Sequence, residues 1–302
     1  MRAAIPFTTV LAAVVGVTAA SVGQERPPGD LVTLDVVVLD RKEHPVFGLQ
    51  PQDFAVREDG KLVELKTFAA PPPESTEATP RQLVLLLDDS SVPKGGTFVI
   101  QAMARAILSR KHPDDEVVVV RLNNERDEPY GDLETALMRI DGYNAGAVPF
   151  QNVGTAERAL KVIASIARQI GAEERGRTLI VCIGGPRVCN VLEPVRGYPP
   201  LWRHWVDAVT STARANAAVY AVMPVPIGTP MRLAGGLADI TGGDGFANTS
   251  PFEAFVERIW TEARDYYLLG YWPRSDRREL HSIEVRVKQP KGARVFVRRE
   301  RG

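Results

Sequence analysis

The sequence predicts an α/β protein: a doubly wound, mainly parallel sheet flanked by helices, with a small β module built from the N- and C-terminal segments. Three observations predict it. The middle of the chain alternates short apolar runs with helically spaced apolar residues, the pattern of strands joined by crossover helices. Both ends carry β-branched or period-two runs instead. Between the first β region and the middle, residues 71–80 are rich in Pro and polar residues and read as a linker.

Met1-Arg2 is followed by the uncharged, largely apolar residues 3–23 and then by Gln24-Glu25-Arg26-Pro27-Pro28. Residues 1–23 therefore read as an export signal, cleaved after Gly23. The other reading is an uncleaved anchor, since about 20 uncharged residues can span a bilayer; the Ala, Gly and Thr content favours the signal. The mature chain is expected to be periplasmic, envelope-associated or extracellular, with no stable membrane insertion.

Residues 29–70 form the N-terminal β segment: 31–40 is β-branched, and 53–65 folds around Asp59-Gly60, a strong hairpin signal. Residues 81–272 form the main domain. Strands are expected over 83–87, 116–122, 178–183 and 218–222, with helices over 97–110, 156–170 and 201–215. Residues 231–240 and 251–263 also read as helical, with glycine-rich 241–245 as a tight turn between them, and 266–271 reads as the last strand of the main sheet. Residues 273–302 form a hairpin of 282–288 and 294–298, expected to pack with 29–70 because neither piece has enough apolar surface alone.

Composition excludes several functions. Thirty-seven Lys and Arg balance 37 Asp and Glu, which removes the electrostatic case for nucleic acid. Two cysteines cannot staple a disulfide-dense scaffold or build structural zinc, and His44, His112, His204 and His281 share no ligand or proton-transfer spacing. Gly-x-Ser-x-Gly, His-Glu-x-x-His and the Walker pattern are all missing from the sequence, so no motif supports catalysis. The aromatics Tyr266, Tyr267, Tyr271 and Trp272 read as core and interdomain packing, and the arginines near 274–278 and 298–301 as solvated surface.

In a parallel sheet, function is expected at the C-terminal ends of the strands. The first such loop is Asp88-Asp89-Ser90-Ser91-Val92. This loop, Glu58-Asp59-Gly60 ahead of it, Gly176-Arg177-Thr178, Leu237-Ala238-Asp239-Ile240-Thr241-Gly242-Gly243 and Asp265-Tyr266-Tyr267-Leu268-Leu269-Gly270-Tyr271-Trp272-Pro273 occur in an ordered series. The series resembles the von Willebrand factor A (VWFA) domain, specifically the bacterial, acidobacterial-type VWFA-related family, from about Leu31 onward. The resemblance implies a Rossmann-like sheet used for protein binding, often through Mg²⁺ or another divalent cation held by Asp-x-Ser-x-Ser on one loop, a Thr on a second and an Asp on a third.

This chain carries that pattern in part. Asp88 and Ser90 fall on the first two positions and Thr155 is the candidate on the second loop, but Val92 replaces the last serine and Gly184-Gly185 stands where the third-loop Asp is expected. A hard cation needs oxygen ligands, so the site reads as degenerate. Asp88 and Asp89 also read, independently of any metal, as caps at a strand end. Asp89, Ser91, Gly184 and Gly185 complete the expected binding rim. Cys182 and Cys189, either side of Gly184-Gly185-Pro186, read equally as a disulfide across the rim or as a buried and a free thiol.

The function expected is thus an exported, non-enzymatic module that binds a protein through this rim. The alternative is a metal-independent structural or assembly component of the envelope that uses the β module.

Overall fold

The computed structural model describes residues 31–71, 81–123, 132–146, 153–171, 178–189, 191–192, 194, 198–224, 231–233, 236–247, 253–274 and 281–300. The export signal and nearly all of the expected linker lie outside the described residues.

In chain order the first strands are β1 (Val32–Leu39), β2 (Phe54–Glu58), β3 (Lys61–Val63), β4 (Leu65–Ala69) and β5 (Gln82–Leu87). Then come α1 (Thr97–Leu108), β6 (Glu116–Arg121), α2 (Leu133–Asp141), α3 (Val153–Gly171), β7 (Thr178–Ile183) and α4 (Pro186–Cys189). The next are α5 (Pro199–Arg214), β8 (Ala217–Met223), β9 (Met231–Leu233), α6 (Leu237–Ile240), β10 (Gly245–Ala247) and α7 (Glu253–Arg264). Last are β11 (Tyr267–Tyr271), β12 (Ile283–Val287) and β13 (Arg294–Glu300).

One sheet has the order β6-β5-β7-β8-β10-β9. Its first five strands are parallel, and β9 closes it antiparallel to β10. Strands β5 and β7 are buried along their whole length, which is why 83–87 and 178–183 read as unbroken apolar runs. Their alternate residues feed two apolar layers. Val84, Leu86, Ile180 and Val219 pack with Ile163 and Ala167 of α3 and Trp205 of α5. Leu85, Leu87, Val181 and Tyr220 pack with Ile100 and Ile107 of α1 and Ile259 of α7. Burying each of the larger aliphatic side chains contributes about 2 kcal/mol.

The expectation of a doubly wound, Rossmann-like sheet with one small β module is corrected by this topology. The fold is mixed α/β with three sheets: beside the parallel one stand an antiparallel sheet of order β13-β1-β11-β4 and another of order β12-β2-β3. The chain starts at β5, moves to the edge at β6 and returns across β5 to β7, whereas a Rossmann sheet lays its first three strands successively outward.

Strand β11 is not the last strand of the main sheet. It inserts between β1 and β4, with Leu34 opposite Leu269 and Phe68 opposite Leu269 on its other side. Its chemistry explains the choice. The Tyr267 hydroxyl donates to Val46 O (2.8 Å) and accepts from Leu49 N–H (3.2 Å), while its ring centroid lies 5.1 Å from that of Phe54. The expected C-terminal hairpin also does not form, because β12 pairs with β2 and β13 with β1. Where one helix is expected over 231–240, Met231–Leu233 is a strand and Leu237–Ile240 a four-residue helix. The glycine-rich segment leads into β10 instead of a helix, and a Cβ on Gly243 would stand 1.9 Å from Val219 O.

A buried ion cluster ties the parallel sheet to the antiparallel layer. Arg258 of α7 reaches Glu262 (2.5 Å) and Asp244, and also Glu43 (3.1 Å) in the turn after β1. Arg294 of β13 pairs with the same Glu43. Burial works against the Arg258 charge, yet the carboxylates of Glu262, Asp244 and Glu43 raise its pKa above the ordinary value.

The β2–β3 turn carries a second pair, an exposed Asp59 against a His281 ring that is only 6% exposed. Asp59 lies 2.7 Å from His281 Nδ1 and accepts from Ser282 N–H (2.9 Å); the His281 contact first, and then the Ser282 amide, lower its pKa below the ordinary 3.8. A carboxyl depressed in this way adds stability that is present above pH 3.8 and is lost as pH falls through the folded-state value. Carboxyl-carbon NMR titration is expected to find Asp59 below 3.8 and His281→Ala to move it back toward that value. An unchanged Asp59 titration in the variant would show that the pair does not act.

Candidate functional site

Strand β5 delivers the first loop at the point where the chain leaves toward β6 on one side and later toward β7 on the other. Loops diverge there, opening the sheet's C-terminal edge. Asp88 is fully buried at this point. Its Oδ1 accepts from Ser90 N–H (2.9 Å), Ser90 Oγ–H (2.9 Å) and Ser91 N–H (2.9 Å). Its Oδ2 accepts from Gly185 N–H (2.9 Å), just past β7, and from the Ser91 hydroxyl.

The loop backbone is pinned as well. Asp88 N–H donates to Ile183 O (3.0 Å), and the buried Tyr143 hydroxyl, following α2, donates to Asp88 O (2.6 Å). Burial, and next the nearby Asp88 and Asp89 carboxylates, push the Tyr143 phenol far up, so it stays a donor. Val92 is buried in the apolar layer with Leu87 and Ile183.

Asp89 points to the turn after β6, where its Oδ1 accepts from Asn123 N–H (2.9 Å); half-burial raises its pKa, and that amide works against the rise. Asn123 Oδ1 in turn accepts from Arg158 (2.7 Å), one helical turn beyond the buried Thr155 on α3. The Asp88 loop and the first turn of α3 therefore share one edge. Asp88, Ser90, Ser91 and Gly185 meet directly, Asp89 is linked to α3 through Asn123, and Thr155 is set into the helix beside that link.

Gly184 fits because it has no side chain: a Cβ there would lie 2.1 Å from Asp88 Cβ. A Cβ on Gly185 would meet Ser91 Oγ at 2.4 Å. Cys182 and Cys189 form a disulfide, with Cα atoms 5.2 Å apart, that closes the chain around these two glycines. Both cysteines are buried, and Cys189 N–H donates to Gly185 O (3.0 Å) in the short helix α4.

These residues do not fit a resident divalent cation as the resemblance implies. Of the two carboxylates on the loop, Asp89 is turned to the Asn123 amide and both oxygens of Asp88 are engaged by the chain's own donors, while no side chain can stand at 184 beside Asp88. Among the described residues no group of three or more His, Cys, Asp or Glu is gathered that could hold a metal.

Sequence reasoning missed four contributors: Tyr143, Asn123, Arg158 and Phe98. Phe98 had a signal. It lies off the apolar stripe Ile100, Met103, Ala104 and Ile107 of α1, and at 80% exposure it is the most exposed large hydrophobic among the described residues. It stands in the first turn of α1, after the Asp88 loop and the short 3-10 turn Lys94–Gly96; the neighbouring Thr97 Oγ1 accepts from Ala145 N–H (3.1 Å), and Gly146 lies against Asp89 O.

No family model matches the chain, and no curated protein matches it. Among solved structures it is similar to a point mutant of the PilB minor pilin from Streptococcus sanguinis, at 8% identity and a TM-score of 0.32. The match covers 64% of this chain and 57% of the pilin, and a likeness so distant carries no argument about fold or function. Among the described residues, no helix is long and apolar enough to cross a membrane.

Proposed function

We propose that this chain is an exported, non-enzymatic protein-binding module whose contact surface is the rim at the C-terminal edge of β5, β6 and β7. The observation that carries the reading is Phe98, a large aromatic left in water in the first turn of the helix that follows a loop held at Asp88 N–H, Asp88 O and the Ser90 and Ser91 amides. Aromatic anchors on preorganised surfaces are what binding hot spots are made of. The VWFA-related segments in the sequence support the same class of function. Export is supported by the N-terminal leader and by the disulfide, which persists in oxidising compartments.

Capture from the native envelope fraction tests this. The wild-type chain is expected to retain a partner that Phe98→Ala binds about tenfold or more weakly, a hot-spot loss, with folding unchanged because the ring is exposed. Equal capture by Phe98→Ala and by Asp89→Ala would move the contact surface away from the rim and toward the antiparallel layers.

A further inference from the structure

We propose that the Asp88 carboxylate is a cation-independent hub: hydrogen bonds from Ser90, Ser91 and Gly185 hold the rim preformed, so that partner binding requires no divalent ion. The inference rests on the rim reading above and concerns how that same site is organised.

Three observations carry it. A carboxylate has about four lone-pair sites, and Asp88 receives five donors from three residues on two loops, so a cation would have to displace hydrogen bonds the fold already makes. Val92 is drawn into the apolar layer at the position where a third oxygen would be offered, which anchors the loop by burial instead of coordination. Gly184 closes the third-loop position, because the space a carboxylate-bearing Cβ needs is filled by Asp88 Cβ. The disulfide between Cys182 and Cys189 holds α4 at the end of β7 and so keeps the Gly185 amide in place. Neutral N–H and O–H groups thereby do at this carboxylate what a metal does elsewhere: they offset its charge and fix its direction.

The test compares the intact wild-type chain with Asp88→Asn by thermal unfolding and calorimetry, in EDTA and in millimolar Mg²⁺, Mn²⁺ or Ca²⁺. The expected result is no saturable heat and a wild-type Tm that shifts by less than about 1 °C between conditions. Asp88→Asn places an NH₂ against the Gly185 and Ser91 donors, and is expected to lower Tm by about 5 °C or more, equally with and without cation. Should that variant not fold, Ser91→Ala replaces it, with an expected fall of about 2–4 °C in either condition. Saturable cation binding, a cation-induced rise in Tm that Asp88→Asn abolishes, or a Tm unchanged in Asp88→Asn or Ser91→Ala would overturn the proposal. Capture assays separate the two readings. Loss of capture in EDTA with Phe98→Ala still defective rejects the hub and keeps the rim; capture indifferent to Phe98→Ala with no cation response rejects the rim and keeps the hub.

Discussion

Arg258→Met is expected to lower the free energy of unfolding by about 3–5 kcal/mol, measured by urea denaturation at neutral pH. The guanidinium is only 6% exposed and faces the fully buried carboxylates of Asp244 and Glu262. Removing one partner of a buried ion cluster takes away the attraction while the desolvation cost of the remaining charges stays. Three carboxylates and two arginines, Glu43, Asp244, Glu262, Arg258 and Arg294, meet here, so the variant leaves two excess negative charges in the cluster. The loss reaches beyond α7. Glu43 and Arg294 belong to the β1 turn and to β13, and the same guanidinium lies over the rings of Phe246 (4.9 Å) and Phe296 (5.3 Å), so the antiparallel layer loses a main tie to the parallel sheet. Arg110→Met is the control: its pair with Glu257 is more than half exposed, and the expected change is under about 1 kcal/mol. Similar losses in the two variants would mean that the buried cluster is no stronger a tie than a surface pair.

Legibility in the sequence followed locality. The helix expected over 97–110 spans Thr97–Leu108, and the strand expected over 178–183 spans Thr178–Ile183, because each is defined by its own apolar spacing. Partner choice was not legible. Residues 266–271 and 282–288 announce themselves as strands, but nothing in their alternation says that the first enters between β1 and β4 or that the second joins β2 across more than two hundred residues. Tyr267 illustrates why: the carbonyl and amide that capture its hydroxyl belong to Val46 and Leu49. At the site, Asp88, Ser90 and the glycines are visible as a loop motif. What completes their hydrogen bonding is not, since Tyr143 is a single tyrosine after a helix until the fold places its hydroxyl on Asp88 O. Likewise Arg258 and Glu262 show the i,i+4 spacing of an ordinary surface pair, and only the third dimension buries them against Asp244.

Gly184→Ala is expected to cost about 3–4 kcal/mol and to open the Asp88 loop, through overpacking and the loss of charge-assisted hydrogen bonds together. The added methyl would lie 2.1 Å from Asp88 Cβ, 2.7 Å from Oδ2 and 2.9 Å from Cγ. Rotating the carboxylate does not relieve the first contact, because Cβ is fixed to the backbone, and that backbone is held by Ile183 O and the Tyr143 hydroxyl. Either β7 separates from β5 at this end or the loop moves as a unit, and both withdraw the Gly185 amide from Oδ2. Gly154→Ala is the matched control. Gly154 lies in the first turn of α3 with open space around its Cβ position, so alanine there is expected to be neutral or to stabilise by up to about 1 kcal/mol. Amide hydrogen exchange gives a local readout: in Gly184→Ala the Ser90, Ser91 and Gly185 amides that point at Asp88 should lose protection before the β5 and β8 amides do. Equal stability of the two alanine variants, with those three amides still protected, would mean that the close approach of Gly184 to Asp88 is not what shapes the rim.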